Sequence, residues 1–517
     1  SMTSTILLLA LLGSVSSDRL RFHLENLVDR NVSACDNFYR HACSQHVDPE
    51  EFFINRVSKI FDDVIAKITP GTDMNSPIAY DLLNAERIGF NLEDNNYGGL
   101  ARERCKNDLD CYRHDQQFFA HQLWRFDIPF NFTSFESDQT NDEQINNLIG
   151  GTTLMVDELI TYMSPRFINY KKLEAFRFHS HLQARIHIIE FMKSNDTYTD
   201  FHEIRDIMEN MKSRMVDNIQ KSPWLNRDDV SRRILDIIKD RVEHIQLYHD
   251  FDELDKNITT LQRLNHDLNQ LYFSWNRKTG VLGLDAMYGL LQAYNRLKFS
   301  DSTPEIVDYI QRIVDNFGFN AFFSDEMKAV TMLAPLMYRP ALCSEILKEP
   351  IITYYVLGHE LYHSLFLPSN PTLIHLYGHR SKCLADHYRD SCSKFGKGSC
   401  MSGFKTIYED GPDIESFRLV YRMLQDEYAA EEMAQPIDEM GTTLEQAYFY
   451  YAASTWCEEE VDRSTDLAND DPHSAFNIRV NSAFSLMPEF TKAFGCKAED
   501  PMYIDEENSC YVFGPNS

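Results

Sequence analysis

His359-Glu360-Leu361-Tyr362-His363 sets two imidazoles four residues apart with a carboxylate beside the first. On a helix, residues four apart stand one above the other on one face, so both rings reach a single metal ion. Glu360 is turned away by about 100°. It therefore stands next to the ion rather than on it, where a general base for a metal-activated water belongs. The metal this pattern predicts is zinc, one ion per chain, with three protein ligands and an open fourth position.

A helix must carry these groups, and the surrounding stretch specifies one. Pro350 suits a first helical turn and Pro368 forbids continuation. Between them Ile351, Ile352, Tyr355, Val356, Leu357, Leu361, Leu365 and Phe366 make the segment apolar all round, as in a buried helix. A bland reading is a helix with two surface histidines. Burial counts against it, because buried histidine and glutamate need partners and a cation supplies one. Gly358 points the same way, costing about 1 kcal/mol against alanine in a helix unless something approaches closely.

The third ligand is expected downstream. Asp426-Glu-Tyr-Ala-Ala-Glu-Glu-Met-Ala434 has helical propensity, and Glu427 and Glu431 are again four apart. One of them can bind the ion while the other orients a ligand histidine from behind. The competing reading is a solvated acidic helix. Two further histidine groups, His179, His181 and His187, and the pair His375 and His379, lack both the interposed glutamate and the apolar helix, and read as ordinary histidines.

The whole chain frames this. Its 517 residues, 43% hydrophobic and 25% charged, describe a globular protein large enough for two lobes or more. A formal net charge of -29 argues against nucleic acid or an anionic membrane as partner. Ile6–Leu12 followed by Gly-Ser-Val-Ser-Ser17 reads as a signal peptide over residues 1–17. No later apolar run is long enough for a transmembrane anchor. Eleven cysteines and four sequons, at Asn31, Asn131, Asn195 and Asn257, fit a secreted glycoprotein with a disulfide framework. Cys105 and Cys111 are close enough to pair locally. The pattern is mainly α: helical from about 60 to 300, including an Ile234, Ile238, Val242, Ile245 stripe, with extended segments around 317–340.

Taken together, several separated motifs resemble the neprilysin family of zinc metallopeptidases, which includes the endothelin-converting enzymes. Cys35-Asp-Asn-Phe-Tyr-Arg-His-Ala-Cys43 resembles the family's C-x-x-F-x-x-x-A-C, and Asn320-Ala-Phe-Phe323 its N-A-Y/F-Y strand. Val356 to His363 resembles the zinc helix, and Glu427-Tyr-Ala-Ala-Glu431 the E-x-x-A-D motif. Ser454-Thr-Trp-Cys457, and Asp471-Pro-His-Ser474 through Arg479, resemble the last two blocks.

The resemblance implies a two-lobed zincin-type fold with a small β element beside the zinc helix and the metal in a cleft. Residues 18–60 would pack with a catalytic lobe at 301–517, and 61–300 would form a helical lobe over the cavity. It implies His359, His363 and Glu427 as zinc ligands, with Glu431 and Asp471 behind them. Glu360 would be the base and His473 the donor to the oxyanion. Asn320, Ala321, Arg479 and Trp456 would contact the peptide. The activity implied is cleavage of small peptides on the amino side of hydrophobic residues; a silent, peptide-binding descendant is the alternative. The family's pairing implies Cys35–Cys496, Cys43–Cys457 and Cys400–Cys510, leaving Cys383 to pair with Cys392 and Cys343 free.

The chain also departs from the family pattern. Ser364-Leu-Phe-Leu-Pro368 follows the zinc helix where the family has a carboxylate, Glu431 replaces an Asp, and Cys510-Tyr-Val-Phe513 replaces the closing C-x-x-W. The middle of the chain is much shorter than the family's.

Overall fold

The computed structural model describes residues 27–44, 46–48, 52–66, 78, 81, 95–131, 139–167, 174–195, 201–248, 254–274, 279, 281–300, 320–337, 351–396, 403–438, 441–458 and 472–517. The architecture is mainly helical, as expected, with one small sheet. The chain forms two compact units. The first joins the segment up to Asp62, Met192–Glu253 and Asn316–Ser517; the second holds Asp63–Phe191 and Leu254–Asp315. The expectation of one uninterrupted lobe over 61–300 is therefore corrected: 192–253 belongs with the histidine helix. The reason is packing. Met211 lies against Gly358, and Arg241 reaches the main chain at Ser364.

In the first unit the elements run α1 (Phe38–Ala42), α2 (Phe201–Ile219), α3 (Asp229–Glu243), β1 (Gln246–Tyr248), β2 (Ala321–Ser324), β3 (Ala329–Met332), α4 (Ile351–His363), α5 (His379–Phe395), α6 (Ile407–Glu427), α7 (Leu444–Ser454), α8 (Phe476–Ser485) and α9 (Pro488–Phe494). Asp228 starts α3, its carboxylate accepting the Ser231 amide at 2.8 Å. Ile238, Val242 and Ile245 of the expected stripe are buried, while Ile234 is only half-buried and Leu235 beside it takes the core position. The sheet has the order β1-β3-β2, with β1 parallel and β2 antiparallel to β3. Among the described residues β2 is thus an edge strand.

Helix α4 is the core. Every residue from Ile351 to Tyr362 is buried, which explains an apolar sequence without a polar stripe. It packs chiefly on α6, with β2, β3, α7 and α2 around it. Helices α4 and α6 approach closely at Gly358, and Gly411 of α6 leaves room for Phe366 just beyond the end of α4. A Cβ on Gly358 would stand 2.5 Å from Ser416 Oγ, and one on Gly411 would overlap the Phe366 ring. Tyr355 of α4 stacks on Phe417 of α6 at 4.1 Å and 11°.

The front of the chain is tied into this unit. Phe38 of α1 enters an aromatic cluster with Phe484, Phe490 and Phe494 at 5.0–5.5 Å, and the Tyr39 amide donates to Asn481 Oδ1. Cys35–Cys496 and Cys43–Cys457 close it covalently, as expected, and Cys105–Cys111 forms locally. The remaining expected pairs are corrected: Cys383 bonds Cys510, across 127 residues, so neither Cys383–Cys392 nor Cys400–Cys510 forms. On the regular helix α5, Cys383 and Cys392 are nine residues, about 13 Å, apart, too far for a bridge. Cys392 is itself disulfide-bonded; Cys343 and Cys400 lie outside the described residues.

The second unit consists of the helices Tyr97–Cys105, Leu109–Arg125, Asn141–Phe167, Leu254–Phe273 and Leu282–Lys298, with most of Glu174–Asn195. Its His179 is 4% exposed, and burial holds the imidazole down at about 4. No helix among the described residues is long and apolar enough to cross a membrane.

Candidate metal centre

Helix α4 delivers His359 and His363 one turn apart, with their Nε2 atoms 3.0 Å from each other. A carboxylate meets them, but it is Glu409, in the first turn of α6. Glu409 Oε2 lies 3.3 Å from each of those two nitrogens, and 3.3 Å from His473 Nε2 as well. His359, His363 and Glu409 are the one group of open side chains among the described residues placed to hold a metal ion; the only other cluster includes the Cys35–Cys496 disulfide.

Glu427, the expected third ligand, does not join them. It is the last residue of α6, eighteen positions beyond Glu409 and so about 27 Å away along the axis. There it is exposed, on the rim of a separate cavity of about 580 Å³ whose walls include Ile351, Tyr354 and Val420. Glu431 is exposed too, and is not on the same helix as Glu427. The helix stops at Glu427, and Tyr428 and Ala429 are extended before a short new turn begins at Ala430. The place behind the histidines belongs instead to Asp413, one turn after Glu409. Its Oδ1 stands 2.8 Å from His359 Nδ1. Asp471, the other residue expected there, lies outside the described residues.

Asp413 is fully buried and heavily held. Arg479 of α8 grips both its oxygens, Nε to Oδ2 at 2.6 Å and Nη2 to Oδ1 at 2.7 Å, and Tyr355 donates its hydroxyl to Oδ1 at 2.6 Å. Burial alone would raise the Asp413 carboxyl; Arg479 and His359 outweigh it and keep the group ionised. Burial likewise pulls His359 down, yet Asp413, with Glu409 and Glu360, holds it up at about 10. Arg479 was expected at the peptide. It is only 3% exposed, its guanidinium lies 3.9 Å over the Trp456 ring, and both its described ion-pair bonds go to Asp413. The structure makes it a support beneath the site, because a buried carboxylate requires a countercharge.

The other expected residues fall around the histidines. Glu360 is buried; desolvation raises its carboxyl while His363 and His359 pull it back, and the Phe323 backbone of β2 reaches it. Its helix position sets it to one side of the Nε2 pair. His473 is partly exposed, next to Glu409. Asn320 is exposed at the start of β2, its side-chain oxygen accepting the Ala321 amide at 2.9 Å, while Ala321 is buried. Trp456 packs edge-on to Tyr355 at 6.0 Å and against Phe476 at 5.1 Å. Of the sequons, Asn31 and Asn131 are exposed; the Asn195 and Asn257 side chains lie outside the described ones.

Does zinc fit these groups? Tetrahedral zinc with bonds of about 2.0–2.1 Å to nitrogen and oxygen separates its ligand atoms by about 3.3–3.4 Å. The three donor atoms stand at 3.0, 3.3 and 3.3 Å. Glu409 Oε2 is also buried without accepting a hydrogen bond among the described residues, although three imidazole nitrogens crowd it. A metal cation held between these groups would satisfy this buried oxygen. The residues fit.

Residues 320–510 match the family model of Peptidase family M13. Neprilysin-1 of Caenorhabditis elegans is 26% identical over 235 residues, 41% of this chain and 29% of that protein. Endothelin-converting enzyme 1 of Mus musculus is 24% identical over 141 residues, 27% of this chain and 18% of that one. The chain thus spans less than a third of the length of either relative. Among solved structures, the Haemonchus galactose containing glycoprotein complex aligns with a TM-score of 0.49 at 14% identity, over 95% of this chain and 98% of that one.

Proposed function

We propose, for a chain that carries the peptidase family M13 segment of the neprilysins and endothelin-converting enzymes at residues 320–510, that it is a secreted zinc endopeptidase cutting short peptides on the amino side of hydrophobic residues. The observation that carries this reading is the convergence of His359, His363 and Glu409 on one point, with the Glu360 carboxyl beside it.

These three residues would hold the zinc. When bound, the ion brings the pKa of a coordinated water toward about 7 and polarises a carbonyl. The protein's own groups do the rest. Glu360 accepts the proton of the attacking water on its carboxylate and passes it to the departing amine. Burial raises the Glu360 carboxyl, with His363 and His359 pulling the other way. His473, partly open to solvent, donates to the oxygen that becomes negative, a contact worth about 10²–10³ in rate. The edge strand β2, starting at Asn320 and Ala321, takes the substrate as an added extended strand. Trp456 and Thr455 form the wall for an apolar side chain. Asp413 and Arg479 move no protons; they fix the His359 ring. The disulfides and the exposed Asn31 and Asn131 support an oxidising, glycosylating route of synthesis.

The test is Glu360→Gln. It should keep about one zinc per chain by elemental analysis and lose cleavage of a mass-spectrometric panel of short peptides by at least a thousandfold. A wild-type protein that binds zinc yet cuts none of the panel refutes the endopeptidase reading and makes the chain a peptide binder.

A further inference from the structure

Tyr355 sits one helical turn before His359 on α4, so its ring and the imidazole share a face, with centroids 6.2 Å apart. The ring has no freedom. Phe417 stacks on one side at 4.1 Å, Trp456 meets it edge-on, and Ser416 Oγ donates to the Tyr355 main-chain oxygen at 2.6 Å. From there the hydroxyl reaches Asp413 Oδ1 at 2.6 Å. That oxygen is the one facing His359 Nδ1 at 2.8 Å, and the one that Arg479 Nη2 approaches at 2.7 Å.

Two donors, the Tyr355 hydroxyl and Arg479 Nη2, thus meet the carboxylate oxygen that faces His359 Nδ1, and they pull in different directions. Arg479 alone would hold the carboxylate symmetrically in its fork and let it follow the guanidinium away from His359. The tyrosine hydroxyl adds a second direction that resists this movement. With Tyr355, Asp413 and Arg479 all buried, no bulk water reaches the carboxylate to replace a lost donor.

We propose that Tyr355 is a positioning residue of the metal centre: its hydroxyl fixes Asp413, and Asp413 fixes the coordinating orientation of His359. This rests on the zinc reading of the site. An ordinary core tyrosine would contribute only to stability, so the experiment separates the two roles. Tyr355→Phe keeps the stack on Phe417 and removes one oxygen. Zinc affinity is measured by competition with a chromogenic chelator, and thermal unfolding is followed on the metal-free protein. The expected result is zinc binding weakened about tenfold, within the range for loss of a group that orients a metal ligand, with kcat falling more than KM rises.

A double-mutant cycle identifies the route. If the hydroxyl acts through Asp413, Tyr355→Phe added to Asp413→Asn weakens zinc no further than Asp413→Asn alone. Zinc affinity within twofold of wild type in Tyr355→Phe, or fully additive effects in the cycle, overturns the proposal. Wild-type protein that binds no zinc overturns the metal reading itself, and the proposal with it.

Discussion

Glu409 in the first turn and Glu427 at the last position belong to the same helix, and only Glu409 meets the histidine pair. Substitution should reproduce that asymmetry. Glu409→Ala removes one of three ligands and should abolish zinc retention through dialysis; Glu427→Ala, on the exposed helix end, should keep both the metal and the melting temperature of the wild type. Loss of zinc from Glu427→Ala with retention in Glu409→Ala would sink the assignment.

Gly358→Ala sets two effects against each other. Alanine favours a helix by about 1 kcal/mol over glycine. Here the new Cβ would stand 2.5 Å from Ser416 Oγ and 3.0 Å from Met211 Cε, and overpacking of this kind costs about 1–3 kcal/mol. Steric cost should win. Urea unfolding should show a destabilised variant, and adding Ser416→Gly should recover part of the loss. A variant as stable as wild type would mean that α4 and α6 do not need this approach.

His179, in the second unit, supplies a pH dependence of its own. Its folded value of about 4 lies below the ordinary 6.5, so the unfolded chain binds the proton more readily. The stabilisation is therefore complete above pH 6.5 and is lost as pH falls from there toward 4. For one such histidine the loss between pH 7.5 and 5 is about 2 kcal/mol. Urea unfolding at those two values should show it, and His179→Phe should shrink the difference. An unchanged difference in the variant would assign the pH sensitivity to other groups.

What the sequence disclosed, and what it hid, follows from local signals. The helix of His359 and His363 was legible because two prolines bound it and its apolar residues run all round. The small strands near 320–332 and the ties of Cys35 and Cys43 to the far end of the chain were legible through motif resemblance. Glu409 was hidden by its neighbours. Glu409-Asp-Gly-Pro-Asp413 contains Gly411-Pro412, a pair that ordinarily marks a turn. In the fold Pro412 lies inside α6, and Gly411 is there because the Phe366 ring occupies the space a side chain would fill. Tertiary contact overrode local preference. The signal available was the four-residue spacing of Glu409 and Asp413, followed by the apolar run Ile414, Phe417, Val420, Tyr421 and Leu424. Glu427 and Glu431 shared that spacing, but a helix end falls between them. The reach of Arg479 to Asp413 depends on how α8 crosses α6, which no local pattern encodes.

The bond between Cys35 and Cys496 joins positions 461 residues apart. The later cysteine is made 461 residues after the earlier one, so this bond cannot form until that much chain has followed Cys35. Arg479, which grips the Asp413 carboxylate beside His359, follows that histidine by 120 residues. A chain cut between the two would hold its histidine pair without the arginine that fixes the carboxylate beneath it.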